Sequence, residues 1–152
     1  RDLNKLKSVL EILKKKRGHI LLLQDTFWDD EFAESIRENE IWNGDIFYSN
    51  ADNRRAGVAV LVVRELKNQV TQEMFEKGRI LHLKIDIDDR VVDLINIYAP
   101  NVVRERYNFF MRLNTYLHQN TSDSTILAGD FITALAGIDP HNKTLHIDDA
   151  AV

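Results

Sequence analysis

Ile95-Asn96-Ile97-Tyr98-Ala99-Pro100-Asn101 is the stretch on which the reading of this chain turns. Its apolar part, from Leu94 to Ile97, suits a buried strand. Tyr98 ends that strand, Pro100 stops the backbone ladder, and Asn101 presents an amide just beyond the stop. Two other stretches repeat the design. Leu23-Gln24-Asp25-Thr26 and Leu127-Ala128-Gly129-Asp130-Phe131 each pass from apolar residues to a carboxylate. In a layered α/β protein the apolar run fixes the backbone in the core, and the first residues beyond it reach the rim where a substrate binds. The pattern predicts chemistry at strand ends, carried by Asp25, Tyr98 and Asp130.

Working outward, Leu3, Leu6, Val9, Leu10 and Leu13 recur at helical spacing, with Gly18 placed as a C-cap. Ile20 to Leu23 is a short apolar run suited to a strand covered on both faces. A helix is expected over 30–39, starting with acidic residues that suit its N-terminus. Phe47 and Tyr48, the polar turn 49–55 and the valine-rich 57–63 read as a hairpin. The segments 80–87 and 91–98 read as two strands joined by Asp88-Asp89-Arg90. A third helix is expected over 103–119, with Phe109, Phe110, Leu113, Tyr116 and Leu117 on its apolar side, followed by a final core strand over 124–128. After Phe131 the pattern loosens through 134–142. This order fits an α/β sandwich with mixed sheets better than a strictly alternating doubly wound fold.

The chain has 152 residues, of which 44% are hydrophobic and 29% charged, as in a single domain with a core of its own. No apolar run approaches the roughly 20 residues that span a bilayer, and the first residues hold no signal-peptide h-region, so no membrane partner is expected. The absence of cysteine excludes disulfides, thiolate metal sites and a cysteine nucleophile. It suits a reducing intracellular compartment, nuclear or cytoplasmic. A net charge of -4 argues against holding nucleic acid by bulk electrostatics, so any DNA binding is expected to be weak. The cluster Lys5, Lys7, Lys14, Lys15, Lys16 and Arg17 reads as a solvated helix face. No pair among His19, His82, His118, His141 and His146 has metal-ligand spacing, and there is no P-loop, dinucleotide fingerprint or nucleophile elbow.

Position alone leaves Asp25 either a surface carboxylate or a ligand for a hard cation. Magnesium is held by one or two carboxylates with waters and substrate phosphates, so a single rim Asp is adequate as a partial site. Gly129-Asp130 is either a plain turn or a second functional carboxylate. The functional reading requires Asp25 and Asp130 to meet at one edge, where they would bind a cation and orient a water for in-line attack. Asn101 is placed to donate to a phosphate oxygen.

Four segments in order, Ile20-Leu21-Leu22-Leu23-Gln24-Asp25-Thr26, Ala56-Gly57-Val58-Ala59-Val60-Leu61, Ile95 to Asn101 and Ile126-Leu127-Ala128-Gly129-Asp130-Phe131, resemble the endonuclease/exonuclease/phosphatase family of DNase I-like fold. Within it they are most similar to the apurinic-type endonuclease domain of LINE-type non-LTR retrotransposons, over the chain from its first helix to about residue 144. The resemblance implies a DNase I-like four-layered α/β sandwich, a Mg²⁺ cofactor and DNA as partner. It also implies that Asp25 binds the metal, Tyr98 contacts the scissile phosphate, Asp130 positions the attacking water, and Asn101 and Arg104 touch the nucleic-acid backbone.

The chain departs from that pattern at two positions. Asp25 stands where the family has a glutamate, and Ile132 stands where the family's Gly-Asp-Phe-Asn has its amide. Isoleucine cannot donate a hydrogen bond, and losing one preorganised contact costs about 3–4 kcal/mol, roughly a hundred- to a thousandfold in rate. The family's first strand with its Asn and its later Ser-Asp-His segment are not among these residues. An incomplete sandwich is therefore expected, with open sheet edges that invite self-association. The expectation is a degenerate Mg²⁺-dependent DNA endonuclease with weak or no activity. The alternatives are a non-catalytic nucleic-acid or protein interaction module on the same scaffold, and a phosphatase of the same superfamily.

Overall fold

The computed structural model describes residues 2–53 and 55–131, so Ile132, the 134–142 stretch, His141 and His146 lie outside the described residues. The chain opens with α1, Leu3–Lys15, whose first turn is capped by Asp2 accepting from the Lys5 N–H at 3.0 Å. Its leucine spacing buries Leu6 and Leu10. At the other end Arg17, not Gly18, takes the left-handed position at φ +54. The Arg17 N–H donates to Lys14 O and the Gly18 N–H to Leu13 O, which closes the helix by the usual pair of bonds. A Cβ at 18 would meet only the tip of the Leu13 side chain.

The first sheet contains β1, Ile20–Gln24, β2, Gly44–Ser49, and β3, Val58–Val63, antiparallel in the order β1-β3-β2, with α2, Asp30–Glu38, between β1 and β2. The central β3 is buried on both faces. Ala59 and Leu61 pack outward against Leu6, Leu10, Ala33 and Ile36 of the helices, while Val58, Val60 and Val62 face the second sheet. β1 is half-buried along its length and covered on both faces, as expected, with Ile20 and Leu22 packed into the core between the sheets and Leu21 and Leu23 into the core under the helices.

The second sheet contains β4, Val70–Glu76, β5, Ile80–Ile87, β6, Arg90–Tyr98, and β7, Thr125–Asp130, in that order across the sheet. β4 to β6 are antiparallel. β7 returns parallel to β6 through α3, Val103–Asn120. Asp88 and Asp89, both left-handed at φ +48 and +61, form the two-residue loop between β5 and β6. Leu81, Leu83, Ile85 and Leu94 meet the valines of β3, and each such buried side chain contributes about 1.5–3 kcal/mol. Ile80, Ile95 and Ile97 face the other way, onto Phe109 and Leu113 of α3. The layers are therefore helices, sheet, sheet, helix: a four-layered α/β sandwich.

The second sheet differs from the sequence reading at three places. β4 is absent from the sequence pattern because its register shifts between Gln72 and Met74, which breaks the alternation that marks a strand. β7 was expected in the core, yet among the described residues it is the outermost strand of its sheet, with Ile126 54% and Leu127 36% exposed. Gly129 sits inside β7, not in a turn. At φ +140, a Cβ there would lie 2.7 Å from the Ile97 nitrogen, so glycine is what lets β7 approach β6.

A buried polar cluster fixes α3 and the start of β7. Asp93 meets His82 Nε2 at 2.6 Å and Lys84 Nζ at 3.0 Å, and it accepts from the Ser122 N–H and hydroxyl at 2.8 Å each. His82 Nδ1 lies 2.7 Å from the Tyr116 hydroxyl on α3. Among the described residues no helix is long and apolar enough to cross a membrane.

Candidate active site at the strand ends

β1 and β6 belong to different sheets, and their ends are joined by side chains. Asn96, fully buried, donates to Leu23 O and Ala59 O at 3.0 Å each and accepts from Gln24 Nε2 at 2.7 Å. This bonding satisfies carbonyls of the first sheet from a residue of the second. It sets the height at which the next residue of β1, Asp25, emerges. The backbone there is strained, with Asp25 at φ +52 and Phe27 at φ +53.

Tyr98, 5% exposed, closes β6 on its inner face, where its phenol interacts with the Asp25 carboxylate and the Asn101 side chain. Burial first, then the Asp25 hydrogen bond and charge, push the phenol above its ordinary pKa, while Arg79 and Asn101 pull it back. The hydroxyl, like that of an ordinary tyrosine, is protonated at neutral pH and can donate. Arg79 is the partner that sequence reasoning missed. Its guanidinium carbon lies 4.8 Å over the Tyr98 ring, and it donates to Tyr98 O at 3.3 Å and Ala99 O at 3.1 Å. Nothing in the spacing of the sequence links residue 79 to that ring.

Asp130 pairs in register with Tyr98 across the parallel β6–β7 ladder, and its carbonyl accepts the Ala99 N–H at 2.9 Å. Register partners share a face of the sheet, so Asp130 and Tyr98 stand on one side. The structure thus brings Asp25, Tyr98 and Asn101 together and sets Asp130 beside them. Arg104 stands apart, exposed in the first turn of α3, and among the described residues its side chain makes no hydrogen bond or ion pair with the others.

Among the described residues no three His, Asp or Glu side chains converge into a ready-made metal cage. The donor set is one exposed carboxylate, Asp25, beside a phenol and an amide. That set fits Mg²⁺, which keeps several waters and completes its shell with substrate phosphate oxygens, and it does not fit an ion held by protein alone.

The model of the Endonuclease/Exonuclease/phosphatase family matches residues 1–131. The chain belongs to that family. It is 31% identical over 126 residues to an uncharacterized 149 kDa protein of transposon TX1 from Xenopus laevis, an overlap covering 82% of this chain and 10% of that protein. Among solved structures it resembles an AP endonuclease from Archaeoglobus fulgidus, with a TM-score of 0.68, 21% identity and coverage of 94% of this chain and 61% of the other. It also resembles truncated TDP2 of Caenorhabditis elegans, with a TM-score of 0.57, 21% identity and coverage of 85% and 55%. At these identities the structural likeness establishes the fold, the DNase I-like α/β sandwich. The chain spans about a tenth of the transposon protein and less than two thirds of either structure.

Proposed function

We propose that this chain is a DNA endonuclease-like domain whose phosphodiesterase site lies at the ends of β1, β6 and β7 and works weakly. The observation that carries the reading is the meeting of Asp25, Tyr98 and Asn101, on strands from two sheets, with Asp130 in register beside Tyr98. Family membership and the likeness to a transposon protein support it.

In this reading the protonated Tyr98 phenol and the Asn101 amide donate to the non-bridging oxygens of the phosphate, which stabilises the charge that grows there during attack. Asp130 accepts a hydrogen bond from the attacking water and orients it. Asp25 would hold Mg²⁺, which supplies charge neutralisation at the phosphate. Asp25, one methylene shorter than the family's glutamate, and Ile132, in place of an amide, both weaken the site.

The experiment is nicking of supercoiled plasmid by the purified chain in Mg²⁺, beside Asp25→Ala and Asp130→Ala. Slow nicking lost in both variants is expected. Salt-dependent DNA binding with no nicking, unchanged in both variants, would instead assign the scaffold to a non-catalytic nucleic-acid module.

A further inference from the structure

We propose that Phe27 is a base-stacking platform beside this site, so that the strand is held with an unpaired nucleotide next to the phosphate at Asp25 and Tyr98. The inference rests on the reading of the site as one that binds DNA. Exposed single apolar residues are ordinary on protein surfaces, and exposure alone would mean nothing. What distinguishes Phe27 is its backbone. A bulky side chain at φ +53 is a rare conformation, and such strain persists where neighbouring structure imposes it, most often at functional sites.

The imposing contacts are visible. The Thr26 N–H donates to Gly57 O at 3.3 Å and the Phe27 N–H to Ala56 O at 3.2 Å, while the Gly57 N–H is itself held by Gly78 O at 3.1 Å. Gly57, at φ +131, leaves no room for a Cβ against the Thr26 hydroxyl. On the other side Trp28 is buried against Phe32, and Asp29 caps α2 by accepting the Phe32 N–H at 2.8 Å. Between these anchors Asp25 is exposed, Thr26 half-buried, Phe27 exposed at 45% and Trp28 buried. The carboxylate and the aromatic ring are thus presented together, two residues apart, at the rim.

Both line one open cavity of 350 Å³, whose other walls include Lys5, Leu6 and Val9 of α1 and Trp28. A hollow that sets Leu6, Val9, Leu23 and Trp28 beside Asp2 and Lys5, with the Phe27 ring in its wall and the Asp25 carboxylate of the phosphate site beside it, offers a base an aromatic ring to stack on. Every base has a π-face, so such a platform selects unpaired strands without selecting sequence.

The test is binding of a short single-stranded DNA containing 2-aminopurine, and of the matching duplex, in EDTA. The proteins compared are the chain and its Phe27→Tyr, Phe27→Leu and Phe27→Gly variants. The chain and Phe27→Tyr are expected to quench the 2-aminopurine and to prefer the single strand. Phe27→Leu should bind it about tenfold less tightly, the effect of one lost stack, with the preference gone. Phe27→Gly should raise the thermal midpoint, because glycine adopts this backbone freely, and yet bind like Phe27→Leu. That combination cannot come from unfolding. Equal affinity and quenching in the chain and Phe27→Leu would overturn the platform and leave the DNA reading standing. No DNA bound by the chain itself would overturn both.

Discussion

Tyr98 is the residue on which the site's parts act most directly. Asp25 raises its phenol and Arg79 lowers it, so the two neighbours have opposite signatures. In an NMR titration of ring-labelled tyrosine, Asp25→Ala should move the Tyr98 titration down toward the ordinary value near about 10. Arg79→Gln should move it further up. No movement in either variant would show that neither group faces the phenol. The placing of Asp25, Tyr98 and Asp130 at strand ends was legible in the sequence because an apolar run stops at each of them. Arg79 and Gln24 were not legible. Their importance arises from partners on other strands, Asn96 being 72 residues from Gln24.

Among the elements, α3 and β7 depend most on a charge. Burial works to raise the Asp93 carboxyl, but the Ser122 N–H, His82, Lys84 and the Ser122 hydroxyl outweigh it and hold the group well below the usual carboxylate range. A carboxylate depressed in the folded state contributes stability that is present above its unfolded value, near about 4, and is lost as pH falls through the folded value. Denaturant unfolding of the chain should therefore weaken from about pH 5 downward, and Asp93→Asn should flatten that acid limb. At neutral pH the variant should be less stable by roughly 1–3 kcal/mol, because His82, fully buried, loses its charged partner. An acid limb unchanged in Asp93→Asn would contradict this account. The hairpin of β5 and β6 and the helix α3 were legible from periodicity and the short acidic turn. β4 was concealed by its bulge, and the outermost position of β7 among the described residues could not be read because an apolar run looks the same at a sheet edge as at its centre.

For the whole molecule, the architecture works by stacking two sheets so that strand ends from both reach one rim. Asn96 is the side chain that joins them there. Asn96→Ala leaves Leu23 O, Ala59 O and the Gln24 amide without their partner and should cost about 1–3 kcal/mol in unfolding free energy. A neutral substitution would show that the sheets are aligned by apolar packing alone. An α/β sandwich with mixed sheets was legible from the order of helices and strands, and its four layers only from the family resemblance. The stitching between layers was not.

The most direct test of the central claim, a phosphodiesterase site that is built but weakened, is the Mg²⁺-dependent nicking rate of Ile132→Asn against the unmodified chain on the same supercoiled plasmid. Restoring the amide should raise the rate roughly a hundred- to a thousandfold, with the gain abolished by adding Asp130→Ala. An unchanged rate in Ile132→Asn, or a gain that survives Asp130→Ala, would contradict the account.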